Sequence, residues 1–137
     1  MIEAIESAIW NHLNGDAVLT AALSSADAIY ADLGPNNAVL PYVIFQHMSG
    51  GDENVTQLDS FDVRYMVKVI STSGAEAASI AGLLRDRLHN SEAVMAVTGW
   101  GLMRVEHQTI ISFTEFEENV KYWHRGGVYR IQASLGT

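Results

Sequence analysis

The chain has 137 residues, of which 48% are apolar and 18% charged, with a formal charge of −8. That length suits one domain spanning residues 1–137, able to bury roughly two-thirds of its unfolded surface without staples. The apolar content excludes disorder for most of the chain, and eight cations against sixteen acids disfavour a phosphate-gripping stripe or an anionic-lipid surface.

The first predicted element is a helix. Ile2, Ile5, Ile9 and Leu13 recur at spacings of three and four with Ala8 on the same stripe, the helical period. Asn14-Gly15 is a stop signal, and Asp16 is placed to cap a second, short helix carrying Val18, Leu19 and Leu23. Residues 28–33 read as a short strand before the turn cluster Gly34-Pro35-Asn36-Asn37. Residues 40–48 (LPYVIFQHM) are rich in branched and aromatic side chains and read as a strand. Gly50-Gly51-Asp52-Glu53-Asn54 is expected to break it into an acidic loop reaching Asp59.

Residues 61–70 alternate Phe61, Val63, Tyr65, Val67 and Val69 with Asp62, Arg64, Met66 and Lys68. The period of two predicts a strand with one buried face and one mostly wet face. Ser73-Gly74-Ala75-Glu76 matches a capping box. It opens a helix to about Asn90, with Ala77, Ile80, Ala81, Leu84 and Leu88 on one stripe. Gly82 interrupts that helix at a cost of roughly 1 kcal/mol against alanine, and close packing on a sheet would explain it. Residues 102–113 read as a strand with Met103, Val105 and Ile111 on one side. In residues 120–135 the apolar phase of Trp123, Tyr129, Ile131 and Ala133 crosses Gly126-Gly127 without changing parity. One strand with a glycine irregularity is expected, and a Gly-Gly hairpin is the alternative. The order predicts an α+β fold, a mainly antiparallel sheet packed by a long helix, with N-terminal helices.

Catalytic signatures are missing. There is no phosphate loop, dinucleotide fingerprint, H-E-x-x-H or G-x-S-x-G motif. Without cysteine there is no disulfide framework, thiol nucleophile or cysteine zinc site. His12, His47, His89, His107 and His124 share no helical metal-ligand spacing. His47 and His107 lie in strands that a neighbouring strand might bring together, but both read as ordinary strand histidines. Glu115, Glu117 and Glu118 read as a solvated acidic loop. The tryptophans and tyrosines read as core rather than as a base-stacking platform, which needs a basic groove. Asn54-Val55-Thr56 matches a glycosylation sequon. The N-terminus lacks a basic region followed by an apolar run, and no window approaches the ~18 apolar residues of a membrane span. A cytoplasmic chain with no catalytic, cofactor or metal residues is expected.

Several short stretches together resemble the tail-completion, or tail-terminator, proteins of long-tailed bacteriophages. They are Asp16-Ala17-Val18-Leu19-Thr20-Ala21, Ile29-Tyr30, Leu40-Pro41-Tyr42-Val43 through Ser49-Gly50, Ala75-Glu76-Ala77 with Ile80-Ala81, Leu84-Arg85-Asp86 and Leu88, and Tyr129-Arg130. Residues 91–119 carry no such motif, and Gly126-Gly127 departs from the pattern. The resemblance implies a structural virion protein at the head-proximal neck of a tail, assembled in a host cytoplasm. It implies a ring of self, usually a hexamer, that ends tail-tube polymerisation and joins the tail to the head. Its implied partners are the tail tube protein and the head–tail connector or stopper. DNA passes through without specific binding, and no cofactor, metal or membrane is implied. Another connector ring component, a toxin–antitoxin or adaptor module, and a small enzyme without a recognisable motif are the alternatives. Residues 40–48 and 120–135 are candidate contact edges. Gly50, Gly51, Asp52, Glu53 and Asp59 are candidate interface or lumen residues, with a solvated outward loop as the plain alternative.

Overall fold

In this computed structural model the backbone is described for residues 2–55 and 58–135, and side chains for all of these except residues 52–55, 58, 59 and 135. Both helix-capping signals form. Helix α1 spans Ile2–Asn14 and α2 spans Ala17–Ala22, with the Asp16 carboxylate accepting from the Val18 and Leu19 amides. Helix α3 spans Gly74–Leu88, and Ser73 Oγ accepts from the Glu76 amide at 3.2 Å. The capping box closes through a relay. The Ser71 hydroxyl donates to Glu76 Oε1 at 2.6 Å and accepts from the Ser73 amide at 3.0 Å.

The strands are β1 (Ile29–Ala31), β2 (Tyr42–Val55), β3 (Leu58–Ser71), β4 (Trp100–Glu117) and β5 (Val120–Leu135). They form one sheet in the order β1-β2-β3-β5-β4, parallel only between β1 and β2. The fold is α+β, as the element order predicts. All three helices cover one face. Ile5, Ile9, Leu13, Leu19, Ile80, Leu84 and Leu88 meet Val43, Phe45, Phe61, Val63, Tyr65, Val67, Tyr129 and Ile131 in one core. The predicted stripes of α3 and β3 are thus the two sides of that core.

Helices α1 and α3 are tied at their C-termini by reciprocal bonds. His12 Nε2 donates to the Arg87 carbonyl, and Arg87 Nε donates to the His12 carbonyl, both at 2.8 Å. Tyr65, buried under α1, donates its hydroxyl to Glu6 Oε2 at 3.1 Å. Burial, with Glu6 beside it, pushes the Tyr65 phenol well above its ordinary range.

Several expectations need correction. Gly50-Gly51 does not end β2. A bulge between His47 and Ser49 absorbs the irregularity, Gly50 takes φ 85°, and pairing with β3 resumes through Val55. A Cβ on Gly50 would run into the Asp62 carbonyl, so glycine here keeps two strands together. Residues 115–117 belong to β4, not to a loop. The hairpin turns on Glu118 and Asn119, with φ 50° and 66°, as a two-residue type I′ turn demands. Met103, Val105 and Ile111 do not share a face, because bulges at Leu102/Arg104 and His107/Thr109 change the phase of β4. Val105 is in the core, Met103 is exposed, and Ile111 pairs with Gly126 on the opposite face.

Strand β5 is continuous, as its parity predicts, and keeps unbroken register with β3. Its glycines are steric requirements. Gly126 lies against the β3 backbone, with Lys68 Cα 2.6 Å from where a Cβ would stand, and Gly127 lies beneath the His107 ring. Gly82 has nothing within 4 Å of an added Cβ. It lies away from the buried stripe, so sheet packing does not explain it.

Candidate functional site

The sheet face opposite the helices is not a plain wet face. Asp62, Met66, Ile70 and His124 on it are all buried. The segment 32–40 folds over this face and, with Tyr42, Lys68, Glu115, Glu117, Tyr122 and His124, encloses a cleft of about 620 Å³. Asp62 is held by Arg130, whose Nε lies 2.9 and 3.1 Å from the two carboxylate oxygens, with Arg64 at 3.6 Å. The hydrogen bonds from Arg130 hold the Asp62 carboxyl below the usual carboxylate range. A second cluster stacks along the β4–β5 hairpin. Lys68 Nζ sits 4.7 Å over the Phe113 ring, Phe113 stacks on His124 at 4.2 Å, and His124 Nε2 donates to Glu115 Oε1 at 2.7 Å. Burial depresses the Lys68 ammonium and also the His124 imidazole, whose proton the Lys68 charge disfavours further.

The sequence singled out neither cluster. Glu115, His124 and Phe113 become neighbours only through the register set by a two-residue turn at 118–119. A Glu-Asn turn lacks the Asn-Gly or Asp-Gly pattern that announces such a hairpin.

His47 and His107 are not brought together. Two strands separate them, and His47, Tyr65, Tyr129 and His107 form one cross-strand row. His47 packs 5.5 Å from Tyr65, and His107 5.2 Å from Tyr129. Burial pushes the Tyr129 phenol up to about 12 and lowers His107. Each histidine therefore borders a tyrosine core. Among the described residues no group of three or more His, Cys, Asp or Glu side chains is arranged to hold a metal ion. Among the described residues no helix is long and apolar enough to cross a membrane.

Two strand edges lack a strand partner over part of their length among the described residues. β4 forms a ladder only with β5; on its outer side the Val105 carbonyl accepts from the Asn90 amide at 2.7 Å and the His107 amide donates to His89 Nδ1 at 3.0 Å, and from Thr109 to Glu117 no strand pairs there among the described residues. β4 carries the exposed Met103, Ile110, Phe113 and Phe116. On the other side, β1 covers only Val43–Phe45 of β2, leaving the distal half of β2 uncovered. This corrects the expectation for residues 120–135, because β5 lies between β3 and β4 and has no free edge. It keeps the edge expectation for part of 40–48. Gly50, Gly51, Asp52, Glu53 and Asp59 lie on the far arm of the β2–β3 hairpin. The side chains of Asp52, Glu53 and Asp59 lie outside the described residues. The sequon likewise runs into Thr56, also outside them.

An unpaired distal strand edge and exposed aromatics such as Phe113 and Phe116 are features of contact surfaces. The family model of Tail completion protein gp17 matches residues 7–125, most of the chain. The chain belongs to that family and is a structural protein of a phage-type tail. A solved chain described as "Virion of native gene transfer agent (GTA) particle" has a similar fold, with TM-score 0.79 over 97% of this chain and 96% of that one at 18% identity. No curated protein sequence matches the chain.

Proposed function

We propose that this chain forms a closed ring of six copies at the head-proximal end of a phage or phage-like tail tube. The ring ends tube polymerisation and joins the tail to the head connector. Family membership over residues 7–125 carries the reading, and the full-length likeness to a chain of a gene transfer agent virion supports it. The physical layout agrees. A head-to-tail interface that closes on itself makes a ring, and among the described residues this sheet offers two dissimilar edges without a strand partner, distal β4 and distal β2, on opposite sides. The chain acts through contacts with itself, the tail tube protein and the connector or stopper, and it is not an enzyme.

The net charge of −8 suits a ring around passing DNA. Six copies repel phosphate rather than hold it, over a range of about 8 Å in physiological salt. On this reading the β2–β3 hairpin points Gly50, Gly51, Asp52, Glu53 and Asp59 toward the lumen or the neighbouring ring. Deleting the gene and purifying the particles tests the role. Overlong tails, or tails and filled heads left unjoined, are the expected products. Normal particles would contradict it.

A further inference from the structure

On the helix-covered side, α3 and the outer strand leave a groove of about 270 Å³. Its floor is Ala78, Ala81 and Gly82 of α3, and its wall includes Ile110, which is 72% exposed. Arg85 and Arg125 line the same groove. Arg125 is occupied by the Phe113 and His124 carbonyls. Arg85 forms no salt bridge among the described residues. The helix backbone is unusually accessible here, since a Cβ on Gly82 would meet no atom within 4 Å.

The same molecule presents a shape that fits. At the tip of the β4–β5 hairpin, Phe116 is 66% exposed and stands next to Glu117 and Glu118. Its cross-strand neighbour Lys121 leans back over the Trp123 ring, with Nζ 5.8 Å from the centroid, leaving the tip acidic. Phe116 cannot fill its own groove. It is six residues beyond Ile110 on one continuous strand, about 20 Å away at the usual rise.

We propose that Phe116 of one copy inserts into the Ala78–Ala81–Gly82–Ile110 groove of the next, with Glu118 of the hairpin turn set against Arg85. This deepens the ring reading and rests on it. The knob and the groove are different surfaces of one chain, so the contact is head-to-tail, the geometry that closes into rings. An aromatic anchor seated among small side chains and ringed by opposite charge is the usual centre of a strong interface. The charge pair sets orientation.

The chain's lack of cysteine makes the test clean. A Glu118→Cys/Arg85→Cys double variant, which keeps Phe116 in place, is oxidised beside the wild-type chain, whose assembly is followed by native mass spectrometry under the same conditions and in purified tails. The expected result is a covalent ladder up to the ring size in the double variant and none in either single variant. Gly82→Trp, which fills the groove from an exposed position, should leave the melting transition in place and abolish assembly. Arg85→Glu should weaken assembly about tenfold or more, and Glu118→Arg should restore it. If the wild-type chain assembles while the double variant gives no ladder and the charge swap does not rescue, this contact is wrong and the ring stands. If the wild-type chain is monomeric both free and in tails, the ring reading fails and takes this contact with it.

Discussion

Burial in this fold disfavours the protonated form of three histidines. His12 closes the α1–α3 clasp, His107 lies over Gly127, and His124 stacks on Phe113. Burial lowers all three below the usual imidazole value of 6.5. The unfolded chain therefore binds more protons than the folded one between the depressed values and 6.5. Stability from these groups is fully present above about pH 6.5 and declines as the pH falls below it. Melting temperature measured from pH 8 to pH 5 should fall with acidification, and His124→Phe should flatten the slope. A flat profile in the wild-type chain would contradict the placement of these rings.

Asp62 behaves in the opposite chemical sense. Its folded value is lowered by Arg130, so its contribution is present above the ordinary carboxylate value of 3.8 and lost as the pH falls through the folded one. Arg130→Ala leaves a buried carboxylate without its main partner and should cost about 3 kcal/mol in denaturant unfolding. Replacing Asp62 and Arg130 together by apolar residues of similar size should recover much of that loss.

At the scale of elements, three glycines make a contrast. Gly126→Ala forces a methyl group into the β3 backbone beside Val67 and Lys68, and a loss of more than 2 kcal/mol is expected from overpacking and broken pairing. Gly82→Ala meets open space in a helix interior and should stabilise the free chain by up to about 1 kcal/mol. Gly50→Ala combines a positive φ with a clash and should disturb the hairpin carrying Asp52 and Glu53. On α3, Leu84→Ala removes a fully buried side chain and should cost about 2–5 kcal/mol. A change below 0.5 kcal/mol would displace Leu84 from the core. Equilibrium unfolding of these variants measures all four effects on one scale.

The same elements show what could be read from residues alone. β3 was legible because its alternation is unbroken from Phe61 to Val69, and α3 because capping residues and stripe agree. β4 was legible as a strand but not in phase, because two bulges each add a residue without any sequence mark. The acidic run at Glu115–Glu118 looked like a loop because charge dominates composition there, whereas pairing with Val120–Tyr122 makes most of it strand. The contact surfaces were the least legible part. An open edge depends on strand order, and residues 120–135 looked as suitable as β4 until the order β3-β5-β4 placed them inside. The family resemblance rests instead on short stretches in α2, β1, β2 and α3, within the 7–125 match, and on Tyr129-Arg130 in β5, beyond it.

For the whole molecule, low charge density, two partly open sheet edges and an exposed aromatic tip favour assembly, and in the proposed ring the net negative charge would disfavour holding DNA. On the reading that Asp52 and Glu53 face solvent or lumen, changing both to lysine should alter folding by no more than about 0.5 kcal/mol. If the hairpin faces the lumen, particles carrying the double substitution should eject DNA slowly or fail to join heads. Normal assembly and infection would remove the hairpin from the lumen. The most direct test of the ring itself is native mass spectrometry of the protein released gently from purified tails. The account predicts a closed species of six chains, and exclusive release of monomer, or tails that contain none of the chain, would contradict it.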